Sequence, residues 1–262
     1  MSHGARQGLS RRMCPRFFVE AAVGAGMVPV PGAELSLPPR DAHHAAHVLR
    51  LHPGDPCEIV IEPARVLFSA RVIRATDTQV EVRLGEVVSV AGGGLWVTLI
   101  QALPELRSVD VIVAKGTEVG VDEFVLVPAA GSPRVQEDRL EERVERWGKV
   151  ALEAAKQSKQ LAVPRVLVSG LEQARARTAA AGWASVVLEP SAPDALEEVL
   201  ARLGSAGRVA LWVGPEGGWT KDELAALAGH GSDLARLGRR ILRAETAGPV
   251  AVAVVRYALR DW

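Results

Sequence analysis

Two patterns of apolar and polar residues divide the chain. From residue 16 to about residue 90, short runs such as CEIVIEP and QVEVRLGEVV alternate apolar and polar positions, and turn sequences such as HPGD and ATDT separate them. Alternation with a period of two is typical of half-buried strands in antiparallel sheets. We therefore predict a small antiparallel sheet or barrel over residues 15–90, interrupted by one helix in RDAHHAAHVLRL.

A different pattern follows residues 91–94, whose three glycines predict a linker because glycine is costly to order within a regular element. Over residues 95–262, strands that are apolar throughout, such as LWVTLIQAL and RVALWVG, alternate with helices. This arrangement predicts a parallel sheet with helices on both faces. In such α/β folds, ligands bind at the carboxyl ends of the strands.

Three loops in the last third of the chain follow predicted strands and so lie at that edge of the sheet. They contain LEPSAP, GPEGGW and GRRILRAET, and the strand before the third is predicted in LARLG. We predict a ligand site among these loops. The third loop also carries Ile241 and Leu242, whose apolar side chains need burial, so we predict that this loop packs against something.

The loop GPEGGW taken alone leaves two interpretations open. Glycine-rich turns between a strand and a helix often bind phosphates, but the spacing matches neither the Walker nor the dinucleotide pattern, and Glu216 would repel a phosphate. The other interpretation is a helix start, with Thr220 as N-cap and Glu223 as its capping-box partner. Trp219 is predicted to pack against this turn.

Composition narrows the class of protein. The 262 residues are 48% hydrophobic, and 31 basic residues balance 31 acidic ones, so binding a nucleic acid would require a local basic patch. Cys14 and Cys57 form neither a disulfide framework nor a zinc motif, and no apolar run is long enough to span a bilayer. We predict a soluble, cytoplasmic α/β protein that uses no membrane and no metal, with a disordered extension over residues 1–14 and an alternative start at Met13.

The two C-terminal motifs together resemble one known family. The resemblance is to the RsmE family, the bacterial 16S rRNA uracil-N3 methyltransferases of the SPOUT superfamily. It implies a C-terminal SPOUT domain with a deep trefoil knot, a small N-terminal PUA-like β-barrel that contacts RNA, S-adenosylmethionine as cofactor, a homodimer, and 16S rRNA or the small ribosomal subunit as partner. The segments that carry it are VGPEGGWTKDEL, LGRRILRAETAGPVAVAVV, KGTEVGVDEFVLVPAAGSPRV, RWGKVALEAAKQSKQLAVPRV, PRFFV and HHAAHVLRLHPGD.

Carried over by position, the resemblance assigns roles to residues of this chain. Uracil N3 must lose a proton before or during methyl transfer, which needs a general base or a cationic group that stabilises the developing oxyanion. Glu245 is the candidate base and Arg243 the candidate cation, although Glu245 could equally complement the dipole of its helix. The cofactor-binding candidates are Leu188, Glu189, Pro190, Gly214, Pro215, Glu216, Gly217, Gly218, Leu237, Gly238, Ile241, Leu242, Thr246 and Ala247.

The chain also departs from the family pattern. Arg107 stands where it could replace a basic residue that the family carries after the first strand, Lys159 and Gln160 replace a glycine-arginine pair, and Pro249 puts residues 245–248 at the start of the last helix. Two alternatives therefore stay open: ribose 2′-O methylation of another RNA, or a knotted RNA-binding protein without catalysis. The RNA-binding candidates are Arg16, His43, His47, Arg50, Arg107, Lys115 and Arg134.

Overall fold

The computed structural model describes residues 14–20, 28–134, 137–204 and 206–261. By its internal contacts the chain divides into two units, residues 1–91 and residues 92–262. Most of the predicted N-terminal extension, including the alternative start at Met13, lies outside the described residues. No helix among the described residues combines the length and the apolar character needed to cross a membrane.

The first unit is a five-stranded sheet with one short helix. Its strands are arranged in the order β1-β3-β4-β5-β2, and the helical segment α1 (Pro39–His43) continues as one π-helical turn over His44–Val48. The strands are β1 (Arg16–Glu20), β2 (Glu34–Ser36), β3 (Pro56–Glu62), β4 (Val66–Ala75) and β5 (Val80–Val90).

The prediction of a purely antiparallel sheet is wrong for one pair of strands. β1 runs parallel to β3, with Phe17 opposite Ile59, whereas the other pairs are antiparallel. Parallel neighbours need a long crossover connection, and the residues between β1 and β3 supply one. Because β1 and β2 are the outermost strands of the recorded order, closure into a barrel stays a prediction.

Alternation along these strands does bury one set of side chains. Phe17, Ile59, Phe68 and Val82 form the centre of the core of the first unit. Cys57 lies in the same core, where burial, followed by the nearby Cys14 and Glu58, raises the pKa of its thiol to about 12. The thiol is therefore neutral at physiological pH and behaves as a small apolar side chain.

The second unit is a six-stranded sheet covered by helices, and its parallel arrangement confirms the prediction. The strand order is β11-β9-β10-β6-β7-β8, and every recorded pair is parallel. The strands are β6 (Trp96–Ala102), β7 (Glu123–Val127), β8 (Arg165–Val168), β9 (Ala184–Leu188), β10 (Arg208–Val213) and β11 (Asp233–Ala235). The helices are α2 (Leu106–Glu118), α3 (Glu137–Gln157), α4 (Leu171–Ala180), α5 (Leu196–Leu203), α6 (Lys221–Ala228) and α7 (Ala244–Ala258).

The continuous apolar strands are explained by two cores, one on each face of this sheet. Leu99 and Leu211 belong to a core with α2, α3, α5 and α7. Ile100 and Trp212 belong to a second core with α4 and α6. The indole N–H of Trp212 donates to Ser185 Oγ at 2.8 Å, so this buried tryptophan has the polar partner that its N–H needs.

One strand boundary and the position of one proline near the C-terminus differ from the predictions. β11 ends at Ala235 and not at Gly238, because the backbone of Arg236 leaves β9 and exchanges hydrogen bonds with Asp194 and Leu196 in the connection that follows β9. Residues 245–248 do lie at the start of α7, but Pro249 is its sixth residue, beyond the first turn. Its missing N–H removes one hydrogen bond from the helix.

Candidate functional site

A cavity of about 720 Å³ lies at the carboxyl ends of the strands in the second unit. Its volume is in the range of small-molecule and cofactor sites. The three loops predicted from the sequence all contribute to its wall, together with the loop that follows β6. The lining residues are Glu105, Arg107, Ser108, Leu188, Glu189, Pro190, Val213, Gly214, Pro215, Glu216, Gly217, Gly218, Trp219, Leu237, Gly238, Arg240, Ile241, Leu242, Arg243, Ala244, Glu245 and Ala247.

The loop after β10 is a tight turn that ends in a capped helix. The N–H of Gly218 donates to Pro215 O at 2.8 Å, and Gly218 has φ +73°, a conformation that favours glycine. A Cβ atom added to Gly217 or Gly218 would meet nothing within 4 Å, so both present open backbone. Thr220 accepts from the Glu223 N–H at 3.2 Å, which confirms the predicted N-cap. The loop therefore begins a helix and also forms a wall of the cavity.

Trp219 packs under this turn as predicted. Its side chain is 7% exposed, and a Cβ atom on Gly214 would lie 3.3 Å from the indole ring. Only a glycine allows the two to approach so closely. The indole N–H donates to no acceptor among the described residues, and Trp219 lines the cavity. A buried donor without a partner at a cavity wall is a position where a ligand atom can accept a hydrogen bond.

Gln101 fixes the base of the same loop. Its buried side-chain amide donates to Gly214 O at 3.3 Å and to Ala102 O at 3.0 Å, and its Oε1 has no partner in the described part of the chain. On the other side of this amide, a Cβ atom on Gly248 would lie 3.4 Å from Oε1 and 3.0 Å from Leu99 Cδ2. Gly248, which has no Cβ atom, therefore lets α7 approach β6 closely.

The loop after β6 and the first turn of α2 contribute Glu105, Arg107 and Ser108 to the cavity wall. Of these three, the sequence analysis named only Arg107. The backbone N–H of Glu105 donates to Glu216 Oε1 at 3.3 Å, so Glu216 joins two loops of the wall. Arg107 Nη2 lies 2.5 Å from Glu105 Oε2, and its side chain is 85% exposed. Arg107 thus lines the cavity with an exposed side chain, and its contact with RNA stays a prediction. Its helical neighbour Ser108 carries no local signal that distinguishes it from any polar residue in the first turn of a helix.

The loop after β9 is held by its own glutamate. Glu189 accepts from the Ser191 N–H at 3.0 Å and from the Ser191 hydroxyl at 2.7 Å, while its N–H donates to Ala235 O. The carboxylate of Glu189 is thus already used within the loop. Leu188 and Pro190 present the apolar surface of this wall.

The third loop carries the proposed reacting groups. Arg243 is the N-cap residue of α7, and its carbonyl accepts from the N–H groups of Thr246 and Ala247. Arg243 Nη1 lies 3.8 Å from Glu245 Oε1, with side chains 87% and 27% exposed. Both line the cavity, whereas Thr246 is exposed and is not among the lining residues.

Ile241 does not find the burial expected for it among the described residues of its own chain. Its side chain is 80% exposed although the residue lines the cavity, while Leu242 is half-buried. Leu237 and Leu242 therefore supply the apolar surface of this loop. Ile241 extends beyond it into solvent.

The predicted RNA-binding residues fall into different environments. Arg16 is buried and its Nε donates to Glu58 Oε2 at 3.0 Å, so it stabilises the first unit and is not an exposed phosphate contact. His43 and His47 have ring centroids 4.5 Å apart and His47 Nε2 lies 3.1 Å from Asp77 O, while Arg50 is exposed. In the described ranges, no group of three or more His, Cys, Asp or Glu side chains is arranged to hold a metal.

In the second unit, Lys115 and Arg134 are accessible, as is the side chain of Arg107. Lys115 is exposed on α2, where its Nζ lies 2.8 Å from Glu118 Oε1. Arg134 is exposed after β7. Ala130, in the same connection, donates its N–H to Glu223 Oε1 at 2.8 Å, which ties this connection to the first turn of α6.

Comparison with known proteins agrees with this arrangement. Residues 93–256 match the RNA methyltransferase domain model. The chain is 32% identical over 251 residues to ribosomal RNA small subunit methyltransferase E of Mycobacterium tuberculosis (94% of this chain, 92% of the relative). It is 29% identical over 240 residues to the Bacillus subtilis protein of the same name (85% and 89%).

A solved structure shares the fold. The ribosomal RNA small subunit methyltransferase E of Neisseria gonorrhoeae, bound to S-adenosyl methionine, superposes with a TM-score of 0.81 at 24% identity and covers 93% of this chain and 97% of its own. The parallel sheet, the cavity at its carboxyl edge and the matched domain define an RNA methyltransferase. Within that class, the chain belongs to the RsmE family, the ribosomal RNA small subunit methyltransferases E.

Proposed function

We propose that this protein transfers the methyl group of S-adenosylmethionine to N3 of a uridine in 16S rRNA of the small ribosomal subunit. Membership of the RsmE family supports methylation of RNA, and the names of the relatives support the small-subunit substrate. The single observation that supports N3 as the acceptor is the pairing of Arg243 with Glu245 at the cavity, because it combines a cation with a carboxylate next to the reaction space.

The cavity fits the proposed cofactor. Leu188, Leu237 and Leu242 provide apolar walls for an adenine, and the open backbone at Gly217 allows close approach of a ligand. The unpaired indole N–H of Trp219 is a donor for one of its polar atoms. When bound, S-adenosylmethionine supplies an electrophilic methyl group on a positively charged sulfonium. A carboxylate such as that of Glu216 attracts a cation and would repel a phosphate.

The chemistry assigned to this chain is proton removal and charge stabilisation. Glu245 takes the proton from uracil N3, which leaves negative charge on N3 and on the two carbonyl oxygens of the ring. Arg243 donates to one of those oxygens and stabilises the charge as it develops. The exposure of Arg243 leaves its guanidinium free to turn from Glu245 towards a bound base.

The competing explanation for Glu245 is structural. It is the second residue of α7, where a carboxylate complements the positive end of the helix dipole. That role would need neither the cavity nor the arginine next to it. The two explanations predict different effects of neutralising Glu245: loss of turnover alone for a general base, and loss of cofactor binding as well for a structural role.

We further propose that the second unit is knotted and forms a homodimer, and that the first unit closes into a PUA-like barrel. The proposed knot is supported by the hydrogen bond from the Arg236 N–H to Asp194 O, which places the segment before α7 against the connection after β9. Apolar surface for a second copy is available at Val250 and Tyr257, which are exposed about two helical turns apart on α7, and at Ile241. His43, His47, Arg50, Arg107, Lys115 and Arg134 are the residues proposed to contact RNA.

The decisive experiment maps the methylated product. The purified protein is incubated with isotope-labelled S-adenosylmethionine and either 16S rRNA or isolated small subunits, and the nucleosides are identified by mass spectrometry. We expect label in 3-methyluridine. Label in a 2′-O-methylated nucleoside would assign a different methyltransferase activity, whereas tight cofactor binding without label in either substrate would identify an RNA-binding protein without catalysis.

A further inference from the structure

The amino edge of the six-stranded sheet carries a row of aromatic and cationic side chains that the proposed reaction does not use. Arg208 and Trp96 are the first residues of β10 and β6 and lie opposite each other in the register. Trp183 directly precedes β9, the strand on the other side of β10. The guanidinium carbon of Arg208 lies 5.6 Å from the ring centroids of both Trp96 and Trp183. We call these three residues the Trp–Arg row.

Stacking leaves the hydrogen-bonding edge of this arginine available. A guanidinium that lies over aromatic rings uses its faces, while its N–H groups point outward in the plane. Arg208 is exposed, and within the part of the chain that the structure describes it has no carboxylate within ion-pair distance. A guanidinium that contacts rings through its faces keeps in-plane donors, and these match the geometry of a phosphate, which accepts two parallel N–H bonds.

The charges around the row favour an anionic partner. Arg177 stacks 5.2 Å from the Trp183 centroid and pairs with Glu123, the first residue of β7. Arg165, opposite Glu123 in the register, is exposed at the head of β8. Three arginines thus lie near one carboxylate on this part of the edge.

Asp122 and Asp261 are paired with Arg256, and the carboxylate of Asp233, the first residue of β11, lies 3.7 Å from the Arg202 guanidinium. They are therefore already engaged by a cation.

We propose that the Trp–Arg row is a second RNA-binding surface, in which the in-plane N–H groups of Arg208 bind a phosphodiester of the rRNA away from the methylated nucleotide. This inference rests on the proposed function for the identity of the polyanion. The chain has no net charge, so its affinity for RNA must come from local clusters of this kind. β10 has six residues, which puts the row roughly 20 Å from the cavity. Phosphate contacts outside the reacting nucleotide position the substrate without reading its sequence.

The test measures binding of 16S rRNA to Arg208→Gln over a series of salt concentrations, without cofactor. We expect the dissociation constant to rise about tenfold, since a charge-assisted contact is lost. The slope of log K against log salt should fall by about 0.7 to 0.9, the value for one phosphate contact. The affinity for S-adenosylmethionine and kcat on saturating RNA should not change.

The matched control is Arg202→Gln, because Arg202 is an exposed arginine of the same unit whose guanidinium already lies 2.8 Å from Asp194 Oδ2. We expect it to bind RNA almost as the parent protein does. Equal losses in both variants would show that only net charge matters and would overturn the proposal. An unchanged affinity and salt slope for Arg208→Gln would also overturn it, since the Trp–Arg row would then have only a structural role at the start of the strands.

A second variant keeps the test valid if Arg208→Gln does not fold. Arg208→Lys retains the charge but loses the planar fork, so we expect an intermediate dissociation constant with the parent salt slope. Parent-like affinity in Arg208→Lys would contradict the role of the fork. Absence of methyl transfer by the parent protein would count against the proposed function alone, because the RNA-binding comparison uses no cofactor and no turnover.

Discussion

The two edges of the six-stranded sheet use their side chains for different purposes. At the amino edge, charged groups bind each other: Arg256 donates to Asp122 Oδ2 at 2.7 Å and to Gly120 O at 2.7 Å, and it also pairs with Asp261. At the carboxyl edge, backbone groups together with the side chains of Gln101, Glu189 and Glu216 hold the loops, and Gly217 and Gly238 have open space around them. Paired charges therefore stabilise the part of the amino edge around Arg256, whereas the carboxyl edge keeps open backbone for a ligand. Arg208, which is also exposed at the amino edge, makes no such pair among the described residues.

The largest expected effect tests the carboxyl edge. Glu245→Gln keeps the size of the side chain and removes its capacity to accept a proton. If Glu245 is the base, kcat on small subunits should fall by about 10² to 10⁴, while the affinity for S-adenosylmethionine measured by calorimetry stays nearly unchanged. Loss of cofactor binding together with activity would instead assign Glu245 a structural role at the start of α7.

The next prediction tests the amino edge. Arg256→Met should lower the free energy of unfolding by about 3 kcal/mol, because it removes the arginine that pairs with the partly buried carboxylate of Asp122, which still accepts from the Val97 N–H. Denaturation in urea measures this change. We expect the cofactor affinity of the folded protein to be preserved, since Arg256 lies at the opposite end of the strands. Arg239→Met, a change at an exposed arginine, serves as the control and should alter stability by less than about 0.5 kcal/mol.

Two neighbouring glycines sharpen the comparison within the cavity wall. Gly218→Ala puts a Cβ atom on a residue with φ +73° and should cost about 1 to 2 kcal/mol. Gly217→Ala introduces no such strain, and its Cβ atom would meet nothing within 4 Å. Its free energy of unfolding should therefore stay within about 0.5 kcal/mol of the parent value. Thermal unfolding measures both. Equal destabilisation would show that the turn does not depend on the left-handed residue.

The glycine turn also illustrates what local sequence can predict. The positions of the three loops followed from apolar strands alternating with helices, because that pattern fixes a parallel sheet and the edge at which its loops emerge. The helix start at Thr220 followed from capping chemistry, which depends only on residues four apart or fewer. These features depend on neighbours along the chain.

The features that sequence analysis missed depend on contacts between distant segments. Glu105 and Ser108 reach the cavity because β10 lies beside β6, a pairing that no local pattern specifies. The parallel pairing of β1 with β3 and the early end of β11 have the same origin. The burial of Arg16 was missed because Glu58, its partner, lies far away in sequence. Pairing order between strands is therefore the information that the pattern lacked.

The smallest expected effect concerns a carboxylate that supports the cavity wall from outside. Burial raises the pKa of Glu223, but hydrogen bonds from the N–H groups of Thr220 and Ala130 and from the Thr220 hydroxyl outweigh it and hold this pKa below its ordinary value. Through Ala130, Glu223 holds the connection whose Gly131 packs on Pro215; a Cβ atom there would lie 3.1 Å from Pro215 Cγ.

Because the folded-state pKa of Glu223 is the lower one, its contribution to stability is present above about pH 4.3 and is lost as the pH falls through the folded-state value. Glu223→Gln should lower the free energy of unfolding by about 0.5 to 1 kcal/mol at pH 7, as expected for a weakened cap. The difference in this free energy between variant and parent should shrink towards pH 3. Asp222→Asn changes a neighbouring charge in the same helical turn and is the control. A difference for Glu223→Gln that stays constant from pH 7 to pH 3 would mean that the carboxylate charge does not stabilise this wall, and that only its hydrogen-bond geometry does.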